Sequence, residues 1–143
     1  MAVAASAALV DLNSAGLSLS YISKSYSSVD DESSFTYLLQ NEGAGGNVSF
    51  LLNVLPICAS SSVSLVSTSP SSATEATEPQ SGLVGSKWDN IGTGDHTITV
   101  VMSGDVMPEF KDYSIATASD YGVGTVYGPS CHLMTDLVCD ANG

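Results

Sequence analysis

The chain has no arginine and only three lysines, Lys24, Lys87 and Lys111, against fifteen Asp and Glu, for a net charge of −12. Binding to nucleic acid rests on Lys and Arg neutralising phosphates, so this balance argues against duplex and single-stranded partners alike. It argues equally against an anionic membrane surface. No run of about eighteen apolar residues occurs, so no segment reads as a membrane-spanning helix, and no membrane insertion is expected. Charge of either sign is scarce, at 13% of residues, while mean hydropathy is +0.21. Solubility must therefore come from Ser, Thr, Gly and Asn. Such a profile suits an extracellular or cell-surface coat or fibre better than a cytosolic enzyme.

Catalytic signatures are also missing. The two histidines, His96 and His132, have no G-x-S-x-G motif with which to build a Ser-His-Asp triad. Cys131 and His132 are adjacent, but neighbours on a strand point to opposite faces and do not meet as nucleophile and base. A zinc site drawn from Cys58, His96, Cys131, His132 and Cys139 has no C-x2-C spacing to support it. The expectation is that the protein is not an enzyme.

What the chain does have is alternation. GLSLSYIS (16 to 23) sets Leu17, Leu19 and Tyr21 against serines. SFTYLLQ aligns Phe35, Tyr37 and Leu39, and NEGAGG (41 to 46) supplies glycine for a hairpin loop. The return segment puts Val48, Phe50, Leu52 and Val54 on one face with Leu51 and Leu55 on the other, the double-sided pattern of a central strand. Val63 and Leu65 mark a short strand, and HTITVVM alternates His96, Ile98, Val100 and Met102 against threonine and valine. DYSIATAS and YGVGTVY add two more candidates. These elements predict an all-β fold, a two-sheet antiparallel sandwich of seven or eight strands. The predicted core is Phe35, Tyr37, Leu39, Val48, Phe50, Leu52, Val54, Trp88, Ile98, Val100 and Met102.

Three regions flank or interrupt that pattern: an N-terminal arm (1–15), the sandwich (16–128), and a Cys-bearing tail (129–143). Within the sandwich, the Ser/Thr/Pro/Glu segment 67–86 reads as a long surface loop, too polar to order itself tightly. The arm, MAVAASAALVDL, lacks the basic n-region of a signal peptide. Its backbone groups need partners from elsewhere, and a sheet edge offers them.

The order FTYLLQNEG, NVSFLLNVLP, VSLVSTSPSS, Trp88 and IGTGDHTITVVMSG resembles the immunoglobulin-like conserved repeat of prokaryotic cell-surface proteins, with Tyr37, Asn41, Gly43, Val48, Leu55, Pro56, Trp88, Gly92 and Ile98 at the matching positions. The resemblance covers about Leu17 to Ala118 and implies an immunoglobulin-like sandwich in a surface setting, not an activity. A looser similarity is to the secreted fibre-forming sandwiches of bacterial biofilms and archaeal bundling pili, which also carry an N-terminal arm. The domain stands alone here instead of in tandem, and the tail from Gly128 has no counterpart in either group.

Cys131 and Cys139 bracket CHLMTDLVC, and a bridge between them would close a small loop worth about 2 to 3 kcal/mol. A disulfide implies an oxidising compartment. The alternative pairing has Cys58 pin the tail to the sandwich. No cofactor is called for. Calcium is the ion whose oxygen ligands the loops offer, first at Asp30, Asp31 and Glu32, then at Asp89 with Asp95 and Asp136 with Asp140, although each cluster reads first as a solvated turn. Asn47-Val48-Ser49 is an N-glycosylation sequon.

Two functional classes follow. In the first, the chain is a structural subunit of an extracellular filament or surface layer, a homopolymer in which the arm enters a neighbouring copy as a strand with Val3, Ala5, Ala7 and Leu9 inward. In the second, it is a monomeric binding or decoration module on a cell surface or virion, with 67–86 as contact surface.

Overall fold

Side chains that alternate between apolar and hydroxyl pack as sheets with one dry face, and two such faces close on each other. The computed structural model describes residues 8–42, 46–54, 56, 58 and 62–136. Its strands are β1 (Ala8–Leu9), β2 (Leu17–Ser27), β3 (Glu32–Asn41), β4 (Val48–Leu52), β5 (Leu65–Ser69), β6 (Ala73–Thr77), β7 (Val84–Ile91), β8 (Gly94–Ser103), β9 (Val106–Ala116) and β10 (Asp120–Leu133), followed by a 3₁₀ turn at Met134–Asp136. One sheet has the order β1-β10-β9-β4-β7-β6 and the other β2-β3-β8-β5. All pairings are antiparallel except β1 with β10.

This is an immunoglobulin-like arrangement. The order β2-β3-β8-β5 corresponds to strands A-B-E-D, and β4-β9-β10 to C-F-G, with β1 running parallel to the last strand. Strands β7 and β6 extend the second sheet beyond β4, but the chain reaches them only after β5.

The strand alternation of β3 is complete: its burial pattern switches at every residue from Glu32 to Asn41. All eleven predicted core residues are buried, none more than 2% exposed. Phe50 on β4 stacks on Trp88 of β7, ring centroids 4.4 Å apart and planes 2° from parallel. Leu51, on the opposite face of β4, is also fully buried, in keeping with a central strand; Leu55 lies outside the described residues. Two polar staples close the ends. Ser33 Oγ donates to Gly104 O at 2.6 Å and accepts from Val106 N at 2.9 Å, and Asn41 Nδ2 donates to Gly46 O at 2.8 Å.

Three expectations need correction. Ten strands are present among the described residues instead of seven or eight. The segment 67–86 is not one long loop, since β5, β6 and the start of β7 run through it. The reason is a buried donor elsewhere: the Trp88 indole N–H finds its acceptor in Pro70 O at 2.7 Å, which ties the β5–β6 connection to the core. Third, the bridge joins Cys58 to Cys131, with Cα atoms 5.6 Å apart and 73 residues of separation, in place of the short Cys131–Cys139 loop. Cys58 is brought there by the crossover after β4, where its amide donates to Val63 O at 3.2 Å. Cys139 lies outside the described residues. The strand β10 continues through Leu133, so the first part of the tail belongs to the six-stranded sheet.

Close approach explains one glycine. A Cβ at Gly85 in β7 would overlap Leu52 O and lie 2.9 Å from Asn53 Cα, backbone atoms that cannot swing aside. Gly85→Ala is expected to lower stability by about 1 to 3 kcal/mol through forced separation of β4 and β7. Urea unfolding checks this, and an unchanged midpoint would contradict the contact.

Candidate functional site

The candidate site is the outer edge of β10. Gly122, Val126, Gly128 and Ser130 on its inner face are buried, whereas Val123 is 51% and Tyr127 45% exposed. The glycines make room for neighbours: Leu12 lies where a Cβ of Gly122 would go, and the Tyr113 ring comes within 2.7 Å of that of Gly124. Along its inner edge β10 pairs with β9 from Tyr121 to Pro129 without a register break. Along its outer edge the only ladder partners among the described residues are Ala8 and Leu9, opposite Asp120 and Tyr121.

The direction of the outer backbone groups follows from one bond. Val10 N donates to Tyr121 O at 2.8 Å, so the Tyr121 carbonyl faces outward. In an antiparallel pair successive residues alternate sides, which turns the amides and carbonyls of Val123, Thr125 and Tyr127 outward as well. Pro129 has the same parity and no amide to offer. The chain's own entry strand cannot reach these groups. After Val10 it leaves the edge, with Leu12 buried over Gly122, to begin β2 in the other sheet.

Aromatic rings line this edge. Tyr37 in the core meets Tyr21 at 6.0 Å, Tyr21 meets Tyr127 at 5.8 Å, and Tyr127 stacks on Phe110 at 4.4 Å. Phe110 is 66% exposed. Burial holds the Tyr37 phenol far above its ordinary range and raises that of Tyr21, so both rings stay uncharged across physiological pH. The strip thus runs from the core to solvent across the sandwich opening between β2 and β10.

The other predicted residues are dispersed. Asp30 and Asp31 are exposed in the β2–β3 turn: Asp30 is held by Ser27, Asp31 accepts from Tyr26 Oη at 2.7 Å, and Glu32 begins β3. Asp89 pairs with Lys87 at 3.8 Å, and Asp95 accepts from Gln40 Nε2 at 3.4 Å. Among the described residues no three His, Cys, Asp or Glu side chains come together to hold a metal ion; Asp136 ends the 3₁₀ turn and Asp140 lies outside the description. His96 Nε2 donates to Gly92 O at 2.7 Å, and Cys131 is joined to Cys58, so the Cys131–His132 pair has no free thiol. Asn47 is exposed immediately before β4. Of the arm residues, Leu9 lies in β1 against the chain's own Tyr121 and is 63% exposed; Val3, Ala5 and Ala7 lie outside the described residues. Leu9 is therefore part of the fold.

Sequence reasoning passed over β10 as an edge, because nothing local in YGVGTVY says which strand lies beside it. The glycines at every second position were the available signal of close approach. No protein-family model and no curated protein matches the chain.

Proposed function

We propose that the protein is a structural subunit of an extracellular filament or surface layer, assembled by strand addition of the N-terminal arm of one copy into a neighbour. One observation carries this reading: the chain pairs with the start of β10 and leaves that edge after Val10, so that from Val123 to Tyr127 the outer edge of β10 has no ladder partner among the described residues. The residues preceding β1, MAVAASA, carry no charged side chain and are mostly small and apolar. A segment of that kind is suited to fill a sheet edge.

The surrounding features agree with the reading. The disulfide is compatible with an oxidising, extracellular setting. Entry of one copy's arm at the edge of the next, when not reciprocated, is a heterologous contact, which propagates as an open polymer. It also accords with the resemblance to secreted fibre-forming sandwiches.

Deleting residues 1–7 removes the donor and leaves every described element intact. The truncated chain is expected to stay folded by circular dichroism and to form no filaments in negative-stain micrographs under conditions where the full chain does. Filaments of unchanged form from the truncated chain would count against strand addition and in favour of the decoration module.

A further inference from the structure

We infer that the acceptor for a neighbouring copy's arm is the outer edge of β10 from Val123 to Tyr127. This rests on the strand-addition reading above and adds the site at which it occurs.

Sheet edges are normally protected by charge, proline, bulges or brevity. Three of the four edges here carry such devices. β2 has Lys24 and a register break between Tyr21 and Ser23. β5 is five residues long, breaks register between Leu65 and Ser67, and runs into Pro70. β6 is also five residues long, with a break between Ala73 and Ala76 that contains Glu75 at φ 56°. β10 differs. From Tyr121 to Gly128 it has no charged side chain, no proline and no break in register. Of the edges that lack a carboxylate over such a stretch, β2 carries Lys24 and β5 is short, which leaves β10 as the long uncharged one.

The edge is also held ready. Its start is anchored by β1 and by Leu12 over Gly122, and beyond its end Cys131 is tied to Cys58. A strand fixed at both ends keeps its outward amides and carbonyls in ladder geometry before any partner arrives, which lowers the ordering cost of association. The stretch of five residues without an outer partner among the described residues matches a typical strand length and fits within the seven residues of the arm. Size matches too. Large rings, Tyr21, Tyr127 and Phe110, rim the opening, and the arm's alanines need little room beside them. Opposite chain contacts of unlike charge are not needed, since neither partner carries any.

Thr125→Pro tests the assignment. It removes an outward amide that has no ladder partner among the described residues, at an edge position where proline is tolerated. The variant is expected to keep the wild-type circular dichroism spectrum and to lose filaments. In parallel, hydrogen exchange on the full wild-type chain should show the amides of Val123, Thr125 and Tyr127 slowed by about tenfold or more on assembly, while Glu75 on the β6 edge is unaffected. This second measurement decides the matter should the proline variant fail to fold. If deleting residues 1–7 abolishes filaments but Thr125→Pro does not, and the three amides exchange as before, strand addition survives and β10 is not its acceptor. If neither change affects filaments, or the wild-type chain never assembles, both readings fall.

Discussion

Replacing Phe50 with alanine is expected to cost about 3 to 5 kcal/mol of folding stability. Phe50 is 1% exposed on β4, which is flanked by β7 and β9 and sits opposite Trp88 and Ile115. Its ring lies flat on the Trp88 indole, so the truncation removes the face of a second large side chain as well as its own contacts. Central strands held on both sides cannot collapse into the space, and the cavity term is added to the lost transfer free energy. The effect should spread to β5 and β6, because Trp88 anchors their connection through Pro70 O. Trp88 is the only tryptophan, so its fluorescence during urea unfolding reports the change directly. Phe110→Ala is the contrast: at 66% exposure it should shift stability by no more than about 0.5 kcal/mol. Equal losses for the two variants would mean that the stacked pair does not organise the core.

The second large effect concerns the bridge. Cys131→Ser is expected to cost about 4 kcal/mol on chain-entropy arithmetic, because the Cys58–Cys131 link closes a loop of 73 residues' separation. Cys139→Ser should leave stability unchanged. If the bridge instead joined Cys131 to Cys139, both variants would lose the same amount, about 2 to 3 kcal/mol for so short a loop. Thermal unfolding of the two variants separates these outcomes, and non-reducing peptide mapping identifies the joined pair. For a domain whose total stability lies in the range of about 5 to 15 kcal/mol, either Phe50→Ala or Cys131→Ser removes a large share.

Much of the sandwich was legible because its signal is local. Phe35, Tyr37 and Leu39 declare their common face by spacing alone, and the two-sided pattern at Val48 to Leu52 declares a strand covered on both faces. The segment 67–86 was misread for the opposite reason. Nothing in SSATEATE orders itself. β6 forms because β7 offers an edge and because the Trp88 N–H needs the Pro70 carbonyl. The site was the least legible part. YGVGTVY is recognisable as a weak strand, but its outer edge depends on where the chain leaves it after Val10, which is a property of the chain path and not of the local sequence.

The sequence by itself determined the fold class, the inward face of nearly every strand and the acidic, arginine-free surface, since strand alternation repeats every two residues and composition requires no geometry at all. Only the tertiary structure decided the strand order, the choice of Cys58 as the partner of Cys131, and which edge was left unprotected. Each of those depends on residues far apart in the chain meeting in space. Pairing across 73 residues or between β1 and β10 is selected by the packing of two complete sheets, and no local pattern encodes it.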